Sequence, residues 1–292
     1  MKIRVGSRES KLAVKQAKMV IDSIKRNNPH IEIELITMKT TGDIILDQSL
    51  DTIGGKGLFV KELDVALLTR QVDITVHSYK DMPMDIDDRI PIVALSRRED
   101  PRDVLVLPKG MHEIDFRKPI GCSSLRRKVQ FQLIYPNSII EPIRGNVLTR
   151  LDKLDRGDYS AVILAYAGLT RLGLEERISR IFSTEEILPA ACQGIIAVQA
   201  RKDFDASILK SFNDEESWDI SVAERSFIKA LNGGCSSPAA AYGKIQGDQI
   251  ILTGFHVGKN NRPYRMTKAG DRKRGETLGR DLAFEMMREM NT

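Results

Sequence analysis

The order of strand and helix patterns in the first eighty residues constrains the fold of this chain most. Residues 2–6 predict a strand, Ser10 opens a helix with apolar residues at helical spacing, and residues 31–38 alternate apolar with acidic side chains. A further helix pattern follows the glycine-rich residues 54–57, and residues 73–77 predict a short buried strand. This βαβαβ order predicts an α/β lobe with parallel strands.

The rest of the chain predicts a second α/β lobe and a different C-terminal part. Strand and helix patterns alternate again between residues 104 and 165, and a run at 195–198 predicts a strand that could return to the first lobe. From residue 218 a helix pattern, three strand patterns and a closing helix indicate an α+β unit. We therefore predict three domains: residues 1–96 with 192–212, residues 100–188, and residues 216–292.

Composition and charge narrow the function classes. The chain has 292 residues, 41% of them hydrophobic, and no apolar run reaches the roughly 18 residues that span a bilayer. Its start is charged too early for a signal peptide, so we expect a cytoplasmic protein without a membrane partner. Three cysteines without metal-ligand spacing predict neither a disulfide framework nor a metal site. The net charge is +5, but aromatic residues are only 5% and basic residues are dispersed, so we expect no nucleic-acid partner.

Cys235 is a candidate nucleophile. It lies among glycine, serine and proline at residues 233–238, where a pliable loop would let a thiolate reach an electrophilic carbon. The alternative is a buried small apolar residue, as most free cysteines are. No histidine is near it in sequence, so a protease-like pair has no local support.

Asp81 is a candidate catalytic carboxylate. It follows Lys80 at the end of a predicted strand whose last residues include His77 and Ser78, and ligands bind at such strand ends in α/β lobes. A carboxylate there can accept hydrogen bonds from N–H groups and stabilise a developing cation. A surface ion pair, or a turn before Pro83, explains Asp81 and Lys80 equally well.

A pair of arginines follows a pair of serines where a strand passes into a helix. Ser123 and Ser124 offer hydroxyls there, and the start of the helix offers N–H groups. Arg126 and Arg127 add two guanidinium groups, so an anion would be bound from several sides. The alternative is an ordinary N-cap with solvated arginines, although the helix dipole disfavours cations in the first turn. Residues 144–150 repeat this arrangement with two more arginines.

The glycine-rich residues 54–57 have two interpretations. They lack the spacing of a nucleotide-binding loop, and no serine or threonine follows Lys56. One interpretation is a mobile lid whose Lys56 and Lys61 meet a carboxylated ligand, and the other is a plain glycine turn.

Together these motifs closely resemble the porphobilinogen deaminase family. The resemblance covers nearly the whole chain in a single order. The matching segments are GSRES at 6–10, GKGLFVKEL at 55–63, HSYKD at 77–81, SSLRR at 123–127, IRGNV at 143–147, AGL at 167–169, QG at 193–194 and NGGC at 232–235.

The resemblance implies a fold, an activity and a cofactor. The fold would be two periplasmic-binding-protein-like α/β lobes with parallel or mixed sheets, followed by a small α+β domain. The activity would be that of a transferase, hydroxymethylbilane synthase. Such an enzyme condenses four porphobilinogen molecules with loss of ammonia and then releases a linear tetrapyrrole by hydrolysis. A dipyrromethane cofactor would be attached to Cys235 through a thioether, and the enzyme would be a monomer without a metal.

By motif match, Asp81 would be the catalytic carboxylate. The residues implied to bind the cofactor are Cys235, Lys80, Ser78, Ser123, Ser124, Arg126, Arg127, Arg144 and Gly145. The residues implied to bind substrate are Arg8, Ser10, Arg144, Arg150, Arg171, Lys56, Lys61, Phe59 and Gln193. Each pyrrole ring carries an acetate and a propionate, for which bidentate arginines are suitable counter-groups.

Two cysteines depart from the family pattern. Cys122 stands where threonine or serine is common, which would remove a hydroxyl. Cys192 stands where glycine is usual, which would change a hinge that relies on glycine freedom. Two other classes remain as alternatives: a two-lobed anion receptor without catalysis, and a nucleic-acid-binding protein.

Overall fold

The secondary structure alternates strands and helices through the first two thirds of the chain. The computed structural model describes residues 2–44, 60–231, 238–258 and 262–291. The strands are β1 (Lys2–Arg8), β2 (Glu32–Met38), β3 (Ile74–Ser78), β4 (Ile92–Leu95), β5 (Asp103–Val106), β6 (Ile120–Gly121), β7 (Ile140–Glu141), β8 (Ala161–Ala165), β9 (Arg180–Ile181), β10 (Ile196–Ala200), β11 (Ala240–Gln246), β12 (Gln249–Val257) and β13 (Pro263–Asp271). The helices are α1 (Lys11–Asn27), α2 (Thr41–Ile44), α3 (Lys61–Leu68), α4 (Leu125–Ile134), α5 (Val147–Asp155), α6 (Tyr166–Leu172), α7 (Glu215–Ala230) and α8 (Gly275–Asn291).

The chain divides into two compact units. Unit 1 consists of Met1–Glu99 and Gly194–Ser217, and unit 2 consists of Asp100–Gln193 and Trp218–Thr292. Residues 100–188 and 216–292, which the sequence predicts as separate domains, thus fall largely into one unit, although each has its own sheet. The division into three domains stays a prediction.

Unit 1 is built on a mixed five-stranded sheet in the order β2-β1-β3-β10-β4. β1 is parallel to β2 and β3, as the βαβαβ pattern predicts. β10 arrives from much later in the chain and pairs antiparallel with both β3 and β4. The return of this strand to the first lobe, which the sequence left open, is therefore confirmed.

Helix α1 packs on this sheet through one apolar face. Ser10 caps its start, because the Ser10 hydroxyl accepts a hydrogen bond from the backbone N–H of Ala13 at 3.3 Å. Ala17, Val20 and Ile24 follow at helical spacing and are buried in the same cluster as residues of β1, β3 and β10. The cap fixes where the helix begins, and the parallel pairing of β1 with β3 places the ends of these two strands side by side.

Unit 2 contains a second mixed sheet in the order β7-β6-β8-β5-β9. Alternate residues of β8 belong to two separate apolar clusters, with Ile163 in one and Val162 and Leu164 in the other. Because successive side chains of a strand point to opposite faces, the sheet is covered by apolar side chains on both sides. Helix α4 contributes Phe131 to the first cluster and α5 contributes Leu151 to the second.

The C-terminal part of unit 2 is an antiparallel sheet, β11-β12-β13, with the helices α7 and α8. The two helices meet at Gly279, where an added Cβ would lie 2.2 Å from the backbone oxygen of Ala223. Only a glycine therefore lets the helices approach this closely. The predicted hairpin turn is present, with Gly247 at φ +60°.

The fold class predicted from the sequence is confirmed: two α/β lobes with mixed sheets and a small α+β C-terminal part. Four of the described helices and strands were not predicted, namely α2, β4, β9 and α6. They are two to seven residues long, so they are too short for a periodic pattern to stand out.

Candidate active site

A pocket in unit 1 lies where β1 and β3 end and α1 begins. Its volume is about 70 Å³, and its lining residues are Arg8, Ser10, Leu12, Ala13, Gln16, Val60, Val76, His77, Ser78 and Asp81. Four residues of the predicted site, Arg8, Ser10, Ser78 and Asp81, are thus brought together. Ligand sites at strand ends are usual for α/β lobes.

Asp81 is the exposed acid of this pocket. It ends a 3-10 turn, Tyr79–Asp81, that follows β3 directly. The turn is held by the backbone N–H of Tyr79, which donates to the carbonyl of Ile195 at 3.0 Å. Within the described residues no hydrogen bond or ion pair engages the Asp81 carboxylate, so Asp81 forms no surface ion pair there. Lys80, in the same turn, is half-buried.

Two polar side chains on the floor of the pocket, Ser78 and Gln16, hydrogen-bond to each other. The Ser78 hydroxyl both accepts from Gln16 Nε2 at 2.9 Å and donates to Gln16 Oε1 at 3.2 Å. Gln16 is buried on the apolar face of α1. A polar residue on an apolar helix face is a signal that the sequence contains, but Gln16 was not predicted as a site residue.

His77 lies behind Ser78 and is buried. Its Nε2 lies 2.9 Å from the Thr75 hydroxyl. Burial, with a smaller contribution from the Arg8 charge, lowers the pKa of His77 to about 4. The imidazole is therefore neutral at pH 7, and the positive charge of this pocket comes from other side chains.

In unit 2 the serine–arginine motif forms the junction between β6 and α4. Ser124 caps the helix, because its hydroxyl accepts from the backbone N–H of Arg127 at 3.4 Å. The Ser123 hydroxyl donates to the Ile143 carbonyl at 2.7 Å and accepts from the Ile143 N–H at 3.0 Å. The two serines thus fix the backbone on which the arginines are carried.

Arg126 and Arg127 are not solvated. Their exposed fractions are 4% and 7%, and both guanidinium groups are paired with the carboxylate of Asp103, which has no exposed surface. Despite the cost of burial, the two cations hold the pKa of Asp103 well below its usual range. Gln193 also donates to Asp103, at 2.8 Å, and is buried. Asp103 was not among the predicted site residues, because nothing local in the sequence marks it as a shared acceptor.

The motif at residues 143–147 repeats this local design one strand later. Asn146 caps α5 by accepting from the N–H of Thr149 at 3.1 Å. Gly145 has φ +107°, and an added Cβ would lie 2.7 Å from Thr149 Cγ2, so the position requires glycine. Arg150 folds back to donate from Nε to the Gly145 carbonyl at 2.9 Å, and Arg144 is half-buried.

The remaining predicted site residues are placed as follows. Arg171 is buried near the end of α6, and Lys61 is exposed at the start of α3. Cys235, Lys56 and Phe59 lie outside the described residues. The predicted site roles of all these residues stay predictions.

The two cysteines that depart from the family pattern are both buried. Cys122 donates from Sγ to the Ser124 carbonyl at 3.6 Å, and burial raises the pKa of its thiol. Cys192 has φ 61°, a conformation that favours glycine, and its N–H donates to Glu224 at 2.7 Å. The chain therefore keeps the glycine-like backbone at residue 192 and carries some strain there.

Comparison with known proteins identifies the family. A model of the porphobilinogen deaminase dipyromethane cofactor binding domain matches residues 3–209, and a model of the porphobilinogen deaminase C-terminal domain matches residues 218–288. The chain belongs to the porphobilinogen deaminase family. Porphobilinogen deaminase of Acetivibrio thermocellus is 76% identical over 288 residues, covering 99% of both chains. That of Alkaliphilus oremlandii is 68% identical, covering 99% of this chain and 98% of that one.

Two solved structures of other proteins are distantly similar to this chain. The methionine-binding protein MetQ is 13% identical with a TM-score of 0.46, covering 75% of this chain and 93% of that one. The periplasmic VFT2 domain of BvgS from Bordetella pertussis is 13% identical with a TM-score of 0.42, covering 76% and 91%. Likeness at this distance says nothing about what the present chain binds.

Membership of the porphobilinogen deaminase family confirms four expectations drawn from the sequence: the family itself, the transferase class, hydroxymethylbilane synthase activity in tetrapyrrole biosynthesis, and the dipyrromethane cofactor. The anion-receptor and nucleic-acid alternatives are set aside. No described helix is both long and apolar enough to cross a membrane. Over the same residues, no three His, Cys, Asp or Glu side chains form a group suited to a metal ion.

Proposed function

We propose that Asp81 is the catalytic carboxylate of this hydroxymethylbilane synthase and that Cys235 carries the dipyrromethane cofactor through a thioether. The observation that supports Asp81 is its state in unit 1: an exposed carboxylate beside a pocket, with no partner among the described residues. An acid that bonds none of the described residues is available to bond a ligand.

The chemistry of Asp81 follows from its charge. The carboxylate accepts hydrogen bonds from the pyrrole N–H of porphobilinogen and, when ammonia leaves, stabilises the positive charge that develops on the ring and its methylene carbon. The Asp81 carboxylate also assists proton transfer at the reacting pyrrole ring. His77 is neutral and turned to Thr75, so it does not compete for this role.

The residues of unit 2 suit a ligand with several carboxylates. A dipyrromethane has two pyrrole rings and therefore four carboxylates, and the donor set of unit 2 consists of guanidinium groups and helix starts. The residues proposed to hold it there are Ser123, Ser124, Arg126, Arg127, Arg144 and Gly145. In unit 1 we propose Ser78 and Lys80 for the cofactor and Arg8, Ser10, Lys56, Phe59 and Lys61 for substrate, with Arg150, Arg171 and Gln193 of unit 2. When bound, the cofactor supplies the primer on which the chain grows.

We further propose that the protein acts in the cytoplasm as a monomer, with porphobilinogen as its partner and without nucleic acid, membrane or metal. The dispersed basic residues and the low aromatic content support the absence of a nucleic-acid partner.

The experiment that tests the anchor is an intact-protein mass spectrum of the wild type, Cys235→Ser and Cys122→Ser. We expect a mass increment of two linked pyrrole units on the wild type and on Cys122→Ser, because Cys122 is a buried thiol in an internal hydrogen bond. Cys235→Ser should carry no increment. An adduct on Cys235→Ser would mean that another residue is the anchor.

A further inference from the structure

Asp103 gathers two side chains of the proposed cofactor site and one of the proposed substrate site onto one buried carboxylate. It is the first residue of β5 and has no exposed surface. Its Oδ2 accepts from Arg126 Nη1 at 2.6 Å. Its Oδ1 accepts from Arg127 Nε at 3.0 Å, from Arg127 Nη2 at 2.8 Å and from Gln193 Nε2 at 2.8 Å. One carboxylate therefore receives four hydrogen bonds from three residues.

Each guanidinium group is also held at a second point. Arg126 Nη1 donates to the Leu188 carbonyl at 2.7 Å, and Arg127 Nη1 donates to the Ile163 carbonyl at 3.1 Å. A planar guanidinium group bonded both to a carboxylate and to a fixed carbonyl has its orientation set. The free side chains would otherwise have to be ordered when a ligand binds, at a cost in affinity.

Stability alone does not account for this cluster. A buried ion pair must recover the cost of removing charge from water, and apolar residues of similar volume are often as stable or more so. Two buried cations that share one buried carboxylate are thus poorly explained as a device for holding the fold. Their placement in the serine–arginine motif suggests a purpose in binding.

We propose that Asp103 is a positioning residue that presets Arg126, Arg127 and Gln193 for the carboxylates of the bound pyrrole chain. This inference rests on the proposed function, because the arginines need presetting only if they receive those carboxylates. Asp103 itself, being buried and saturated with donors, touches no ligand.

Unit 1 offers a matched control. Asp73 also lies between two arginines, with Arg4 Nη2 at 2.8 Å and Arg201 Nη2 at 3.5 Å. Arg201 additionally donates to the carbonyls of Leu67 and Val72 at the end of α3, so this cluster ties a helix to its sheet. None of these residues belongs to the proposed site.

The test compares Asp103→Asn and Asp73→Asn with the wild type. Full-length proteins are purified from cells that cannot make porphobilinogen, checked by circular dichroism at low temperature, and incubated with porphobilinogen. Adduct formation is followed by intact mass. We expect Asp103→Asn to load slower by about tenfold or more, and Asp73→Asn to load within about twofold of the wild type although it melts at a lower temperature.

Two further results separate positioning from a merely structural role. In Asp103→Asn, the porphobilinogen concentration that gives half-maximal loading should rise more than the limiting rate falls, because positioning acts on ligand binding. Folded Asp103→Asn that loads like the wild type would overturn the proposal, as would loading that falls equally in Asp73→Asn. A wild type that never acquires an adduct would instead contradict the Cys235 assignment, so the two failures are distinguishable.

A measurement on Cys235→Ser covers the case in which Asp103→Asn does not fold. This protein lacks the anchor, and the Arg127 Nε–H resonance, assigned with Arg127→Lys, reports the hydrogen bond to Asp103. Presetting requires a single Nε–H signal protected from solvent exchange before any ligand is bound. A rapidly exchanging signal would show that the arginine is ordered only by its ligand, and the proposal would be wrong.

Discussion

Asp81 of unit 1 and Asp103 of unit 2 lie beside comparable elements but have opposite surroundings: one is exposed and the other is buried and hydrogen-bonded. Each adjoins a strand of a mixed five-stranded sheet, Asp81 after β3 and Asp103 at the start of β5. Asp81 is exposed and has no partner within the described residues. Asp103 is buried and accepts four hydrogen bonds from cationic and amide groups.

The difference matches the two roles proposed for these carboxylates: Asp81 acts on the ligand, and Asp103 positions other side chains. An unsatisfied acid at a surface pocket costs the fold little and can exchange hydrogen bonds with a ligand during a reaction. An acid saturated with buried donors is fixed and cannot serve in that way, but it orders the groups that donate to it. Four variants of single acids and two of a helix cap would break or sharpen this contrast.

The largest effect is expected for Asp81→Asn. The amide keeps the size of the side chain but loses the charge that stabilises the developing cation, so turnover should fall by about 10²–10⁴-fold. Because the side chain is exposed, the free energy of unfolding should change by less than about 0.5 kcal/mol. Steady-state kinetics with porphobilinogen and urea unfolding of the same preparation check both parts, and near-normal turnover would remove Asp81 from the mechanism.

Asp103→Asn should lower the stability of the protein much more than Asp81→Asn does. Removing the shared carboxylate leaves two buried guanidinium groups without their counter-charge, so the free energy of unfolding should fall by about 3–5 kcal/mol. Asp73→Asn, whose Arg4 partner is 35% exposed, should lose about 1 kcal/mol. Urea titrations of the two variants beside the wild type measure the difference. Equal losses would mean that burial of the Asp103 cluster adds nothing to the free energy of unfolding.

Asp64 is an intermediate case. It is half-buried on α3, and no lysine or arginine among the described residues pairs with its carboxylate. Burial, followed by repulsion from Asp87, raises the pKa of Asp64 to about 6. The folded state therefore holds this proton more strongly than the unfolded state does. The stabilisation is fully present below about pH 4 and is lost as the pH rises through 6.

Asp64→Asn should remove that pH dependence. Between pH 4 and 6 the wild type should lose stability relative to the variant by about 1 kcal/mol, a value reduced for the solvent that screens this group. Thermal unfolding of both proteins at pH 4, 5 and 6 follows the difference. Parallel curves would show that Asp64 titrates at its ordinary value.

The smallest effect is expected at the helix start that carries the arginines. Ser124→Ala removes the acceptor for the Arg127 N–H and should destabilise the protein by about 1 kcal/mol, whereas Ser124→Gly should cost only a few tenths. Thermal unfolding measures both variants.

Sequence patterns predicted the parts of the molecule in which neighbouring residues carry the information. The strand and helix of the first thirty residues, the cap at Ser10 and the strand at residues 161–165 were readable because periodicity and capping are local. The motif match supplied the arginines of the site in the same way.

The partners of the site residues could not be predicted, because they are distant in sequence. Asp103 meets Arg126 and Arg127 across more than twenty residues and Gln193 across 90. In sequence it is only an acid before an apolar run, and nothing local distinguishes it from Asp100, which pairs with the neighbouring Arg102. The sequence also left open whether the arginines are solvated, because the acid that pairs with them in the buried cluster is distant.

The position of β10 sets an order of events during synthesis. β10 lies between β3 and β4, yet it is translated about 120 residues after β3, which takes roughly 6–24 s at ordinary ribosomal speeds. Throughout that interval the hydrogen-bonding edge of β3 has no final partner, and β4 has no sheet to join. The second lobe thus emerges from the ribosome while the first is still incomplete, so the newly made chain must keep an open strand edge from aggregating until its own later residues close it.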